Sequence, residues 1–157
     1  MDDRYPLIVC ASLVQNPMNL GALCRTVEGF RLASLVLPSQ AVIDDWEFRK
    51  LAVSAQQWQP LAVCAPASLP KWIQHQQHQG YTVHALTLSP QAEVLSKVIF
   101  PQRTVILLGR ELTGIPMEIE KLCDRRVVIP QYGQVDSLNV ATAGAIAMYE
   151  YMRQQVG

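Results

Sequence analysis

Three short stretches combine polar residues with loop-forming ones in a way that a packed core does not need. The first is Asn16-Pro-Met-Asn19-Leu-Gly21-Ala-Leu-Cys-Arg25-Thr26, near the start of the chain. The second is Leu107-Leu-Gly109-Arg110-Glu111-Leu-Thr-Gly114. The third is Ile129-Pro130-Gln-Tyr-Gly133-Gln-Val-Asp-Ser137-Leu138-Asn139-Val140. Each is bent by glycine or proline after an apolar run. Together they offer arginine, glutamate, serine and asparagine side chains, a set able to grip an oxygen-rich substrate and a polar cofactor. Ser137 has no nearby histidine, which argues against a nucleophilic triad. No dinucleotide fingerprint follows the first apolar run, and no phosphate-cradling P-loop occurs. His75, His78 and His84 stand apart from the three stretches, and no Cys/His/Asp cluster has ligand spacing, so no metal site is expected.

The elements that must position these loops follow from hydrophobic patterning. Leu7–Leu13 is a continuous apolar run, as in a strand covered on both faces. Further strands are expected at 33–37, 61–65, 81–88, 104–108 and 127–129. Helices are expected from Asn19 to about Phe30, from an Asp44 cap through Ala52, after Ser68, over 116–122 and from Leu138 to about Gln155. The helix after Ser68 should fray into the glutamine-rich stretch 74–79. Alternation of this kind suits βαβ units and a three-layer α/β fold with a mostly parallel sheet. Open parallel sheets bind ligands outside the carboxyl ends of their strands, where all three loops would meet. Such loops can present backbone donors and acceptors to an adenine and an amino-acid carboxylate.

Several residues have a plain structural role open to them. Asn16 can serve simply to cap a turn, and Asn19 to cap a helix. Asn139 and Ser137 compete for the cap of the last helix. Glu111 can simply pair with Arg110 or Arg125, and Arg25 can be a charge on a helix surface.

The bulk composition bounds the rest. At 157 residues the chain is expected to be one domain spanning 1–157. Charged residues make up only 17%, below the usual share of about 25%. With alanine and glycine crowding the first half of the last helix, this suggests apolar surface hidden in a homodimer. Lysine plus arginine and aspartate plus glutamate number 13 each, so the net charge is zero. That argues against tight non-specific nucleic-acid binding, although Arg4, Arg25, Arg31, Arg49, Lys50, Arg125, Arg126 and Arg153 could converge locally. The four cysteines are widely spaced without CxxC pairing. A reduced, cytoplasmic protein is expected, with no signal peptide and no membrane-spanning run.

Read jointly and in order, the three stretches resemble the SpoU/TrmH family of S-adenosylmethionine-dependent RNA ribose 2'-O-methyltransferases, within the knotted SPOUT superfamily. Asn19-x-Gly21-x-x-x-Arg25 looks like the first family motif and Gly109-x-Glu111-x-x-Gly114 like the second. Ile129-Pro130, Ser137-Leu138-Asn139-Val140 and Tyr149-Glu150 look like the third. A closer likeness is to the C-terminal catalytic domain of eukaryotic tRNA guanosine-18 ribose methyltransferases. It is carried by Ala11-Ser-Leu, 19–26, Val53-Ser-Ala-Gln-Gln-Trp58, Gly80-Tyr-Thr82 and 150–155.

The resemblance implies a C-terminal deep trefoil knot, which sequence physics would not suggest. It implies S-adenosylmethionine as cofactor, RNA (a D-loop guanosine of tRNA preferred) as substrate, and a dimer-built site. It assigns Arg25, Glu111, Ser137, Asn139 and Asn19 to catalysis. It assigns Gly109, Ile129, Leu138, Leu86, Pro130 and Gly133 to the cofactor. The competing reading is a knotted RNA- or protein-binding module with weak or absent turnover. One position departs from the pattern: Arg110 stands where the family often has asparagine, changing the charge near the substrate.

Overall fold

The computed structural model describes residues 3–157. Strands β1 (Tyr5–Cys10), β2 (Leu32–Leu37), β3 (Leu61–Val63), β4 (Thr82–Leu86), β5 (Glu93–Val94), β6 (Thr104–Leu107) and β7 (Arg125–Val128) form one sheet in the order β3-β2-β1-β6-β4-β7-β5. Every paired strand runs parallel to its neighbour. The helices are α1 (Pro17–Gly29), α2 (Trp46–Ala52), α3 (Leu69–His78), α4 (Met117–Glu120) and α5 (Val140–Val156).

The continuous apolar runs are explained by two cores, one on each face. Along β1, Leu7 and Val9 face the core built with α1, α2 and α5, whereas Ile8 and Cys10 face the core built with α3 and α4. The central strand β6 repeats this, with Ile106 in the first core and Val105 and Leu107 in the second. A strand sandwiched between helical layers needs apolar residues at every position. The architecture is therefore the three-layer α/β fold expected.

Two close approaches hold α1 in place. A side chain on Gly21 would lie 2.3 Å from the Phe48 carbonyl oxygen of α2. One on Gly144 would lie 2.9 Å from Leu23 Cδ2 of α1. Part of the small-residue composition of α5 thus serves packing within the chain. With β4 and β7 beyond β6 and α5 returning to α1, the path is consistent with the knotted SPOUT topology.

Several expected boundaries shift. Asn16, not Asn19, caps α1, its side chain accepting from Met18 N at 2.8 Å. Asp45, not Asp44, caps α2, because 40–44 forms a 3-10 turn. Ser68 makes no capping hydrogen bond, and α3 remains helical to His78 rather than fraying at Gln74. Pro116 precedes α4 as its cap residue instead of sitting inside the first turn. The two-residue strand β5 has too little sequence to show a period. The eight cations do not form one free patch: Arg4, Arg49, Arg126 and Arg153 are tied to Glu28, Asp44, Glu120 and Glu150.

Candidate active site

The three motif loops meet at the carboxyl ends of β1, β6 and β7, as the parallel sheet requires. β6 leads into a tight hairpin in which Arg110 N donates to Gly114 O and Gly114 N to Arg110 O, both at 3.0 Å. Gly114 has φ +75°, a conformation that favours glycine. A side chain on Gly109 would lie 2.6 Å from the Gly114 carbonyl carbon. Gly109 is therefore required by the hairpin folding back on itself.

Glu111 points from this hairpin to the start of α1. Its Oε1 accepts from Gln15 N at 3.1 Å, and its Oε2 from Asn16 N and Asn19 Nδ2, both at 3.0 Å. Partial burial raises the pKa of the carboxyl. The hydrogen bonds, led by Asn19, outweigh burial and leave it below the ordinary glutamate value. Neither Arg110 nor Arg125 pairs with it among the described residues.

Asn19 continues the chain of contacts. Its Oδ1 accepts from Asn139 Nδ2 at 3.0 Å. Asn139 in turn caps α5, its Oδ1 accepting from Ala141 N at 2.9 Å and Thr142 N at 3.1 Å. Asn139 therefore fills the cap role and also contacts the first motif. Ser137 is exposed and is not the cap.

Beside this network lies a cavity of about 420 Å³, within the range of small-molecule sites. Leu86, Leu108, Ile129, Leu138 and Val140 supply apolar wall, and Thr87, Ser89, Ser137 and Asn139 supply polar groups. Of the residues expected to bind cofactor, Gly109, Ile129, Leu138 and Leu86 line it, whereas Pro130 and Gly133 do not. Glu111, Ser137 and Asn139 line it; Asn19 reaches it only through its partners. Arg25 is exposed on α1 and lies outside the lining of its own chain's cavity.

Sequence reading missed Thr87, Leu88 and Ser89, which follow β4, and Gln131, which follows β7. Ser89-Pro90, a turn signal after an apolar run, marked the first group. Gln131 Oε1 is buried without a hydrogen-bond partner among the described residues. A polar atom left so needs an explanation. A ligand with hydrogen-bonding edges and an apolar body, such as an adenosyl group, suits this wall. Among the described residues, no group of three or more His, Cys, Asp or Glu could hold a metal.

A family model described as the SpoU rRNA Methylase family matches residues 6–149. The chain belongs to the SpoU rRNA methylase family. A tRNA (guanosine(18)-2'-O)-methyltransferase of Mus musculus is 43% identical over 150 residues, covering 96% of this chain and 10% of its own length. The chain thus spans about a tenth of that relative. Among solved structures, the A. aeolicus TrmH/SpoU tRNA modifying enzyme superposes with a TM-score of 0.87 at 26% identity, covering 99% of this chain and 78% of its own. An AdoMet-bound rRNA methyltransferase from Sinorhizobium meliloti shares the fold, with a TM-score of 0.82 at 23% identity and coverage of 100% and 59%. Hydrogen bonds join Asn19, Glu111 and Asn139, one residue from each of the three sequence stretches.

Proposed function

We propose that residues 1–157 act as a single SPOUT methyltransferase domain that transfers a methyl group from S-adenosylmethionine to a ribose 2'-hydroxyl of RNA. The preferred substrate is tRNA at the D-loop guanosine 18, the position named for the mouse relative. The observation that carries the reading is the hydrogen-bonded path Glu111–Asn19–Asn139, which joins all three motifs beside a ligand-sized cavity.

In this reading Leu86, Gly109, Ile129 and Leu138 hold the adenosyl part, with Pro130 and Gly133 shaping the third loop from outside the cavity. The bound donor supplies a methyl group already activated by its sulfonium, so the protein's main tasks are alignment and charge control. A guanidinium carries donors only, so Arg25 is not a simple base. Its guanidinium stabilises the alkoxide that develops as the hydroxyl proton passes to an RNA phosphate oxygen, and the donor that gives up its methyl leaves as S-adenosylhomocysteine. Glu111 and Asn139 act through Asn19 as positioning residues, and Ser137 offers a hydroxyl at the cavity wall.

Arg25 is exposed outside its own cavity. A second copy that brings its Arg25 to this cavity completes the site. Exposed Met18, Leu112, Tyr132, Val135, Ile146 and Tyr149 supply apolar surface for such a homodimer. We place the protein in the cytoplasm, and no helix among the described residues is long and apolar enough to cross a membrane.

The test is incubation of total tRNA with methyl-labelled donor, followed by mapping of the modified nucleotide. A 2'-O-methylated D-loop guanosine is expected, and chelators should leave the activity intact. Donor binding without methylation of any tRNA would favour the binding-module reading. A folded protein that binds no donor would overturn the assignment.

A further inference from the structure

Arg110 and Glu111 are the two charged residues lining the cavity. They are chain neighbours, yet Glu111 does not neutralise Arg110. Both oxygens of Glu111 are occupied by Gln15 N, Asn16 N and Asn19 Nδ2. Arg110 is half-buried, and its side chain has no hydrogen bond or ion pair among the described residues. Its backbone is held by the paired bonds to Gly114, so the side chain starts from a fixed position. A guanidinium stays protonated and carries five donors in a planar fork. Keeping one partly desolvated with no counter-charge is unfavourable. The cavity wall therefore holds an uncommitted cation that is best matched by an oxyanion on the ligand.

We propose that Arg110 anchors the carboxylate of the donor's amino-acid end and selects for donors that carry it. The inference rests on the reading of this cavity as the S-adenosylmethionine site. That ligand has a single anionic group, its carboxylate, and an Arg–carboxylate pair can be bidentate. The rest of the wall sorts in the same way. Leu86, Ile129 and Leu138 suit a flat purine, and Thr87, Ser89 and Ser137 suit ribose and amino-acid polar atoms. An arginine here strengthens grip on the amino-acid end without altering the apolar wall of Leu86, Ile129 and Leu138.

The experiment is calorimetric titration of the full chain with S-adenosylmethionine and with its decarboxylated counterpart, for the wild type, Arg110→Gln and Arg110→Lys. The wild type should prefer the carboxylated donor by roughly tenfold to a hundredfold, the range of a charge-assisted hydrogen bond. Arg110→Gln should abolish the preference by weakening only the carboxylated ligand. Arg110→Lys should keep part of it, because the charge remains while the fork is lost. Melting curves check that each variant is folded. An unchanged preference in both variants would overturn the inference. So would an unchanged preference combined with weaker tRNA binding and a flatter salt dependence, since the cation would then serve an RNA phosphate. A wild type that binds neither ligand would remove the donor-site reading, and the inference with it. A wild type that binds both ligands equally would remove the inference alone.

Discussion

Asn139 Nδ2 donates to Asn19 Oδ1 across 3.0 Å, linking the cap of α5 to the first turn of α1. Asn19 Nδ2 simultaneously donates to Glu111 Oε2. One amide thus uses its acceptor towards the third motif and its donor towards the second.

Asn19→Ala should remove both contacts at once. It removes one partner each from the exposed Asn139 Nδ2 and the part-buried Glu111, at about 0.5–1.5 kcal/mol per hydrogen bond. Chemical denaturation should show a lower midpoint, and methyl transfer should fall further than donor affinity because Glu111 and Asn139 lose their common anchor. Asn19→Asp should be worse, since it sets a second carboxylate against Glu111. A variant Asn19→Asp as stable as the wild type at neutral pH would contradict the assigned hydrogen-bond directions.

Glu111 also sets a pH dependence. Its folded pKa lies below the unfolded value of about 4.3. The ionised carboxylate therefore stabilises the fold fully above that value and loses its contribution as pH falls through the depressed one. Urea midpoints of wild type and Glu111→Gln should differ most at neutral pH and converge as the pH drops below about 4. A gap that widened on acidification would show that Glu111 is not held ionised by Gln15, Asn16 and Asn19.

Arg25→Ala should leave donor binding nearly intact and lower turnover by at least roughly a hundredfold. Arg25→Lys should not restore it fully. If a second copy supplies the arginine, mixing Arg25→Ala with Leu138→Arg, which blocks the cavity, should regain activity in mixed dimers. Each variant alone should be nearly inactive. No regain after confirmed subunit exchange would return Arg25 to its own chain's site or to a surface role.

A homodimer is expected, so the protein should sediment at about twice the 17.5 kDa chain mass. Charge introduced at the exposed Ile146 and Tyr149 of α5 should shift it to monomer and abolish methylation while the monomer still melts cooperatively. An active monomer would rule out a shared site.

Gly109→Ala should force the 110–114 hairpin away from β6, because the new carbon would sit 2.6 Å from a backbone atom. A loss of about 1–3 kcal/mol and weaker donor binding are expected together. Stability retained with donor binding lost would point instead to a ligand packed on Gly109.

The sequence by itself determined the alternating elements, the parallel sheet and the three loops at its carboxyl edge. These depend on local periodicity: a strand covered by helices on both faces must be apolar throughout, as Leu7 to Cys10 are. It also carried the ordered motifs that mark the family. Only the tertiary structure decided which polar atoms meet. Asn16, which precedes Pro17 at the first helical position, caps α1, whereas Asn19 inside the first turn is engaged by partners 92 and 120 positions away, which no local pattern shows. The same holds for Glu111, whose adjacent Arg110 is not its partner, and for Gly109, whose constraint comes from Gly114 across a hairpin. Arg25 lies outside its own cavity and Gln131 lines it, although both sit in motif stretches. Side-chain direction and long-range pairing depend on how the helices pack across the sheet, and no local pattern encodes that choice.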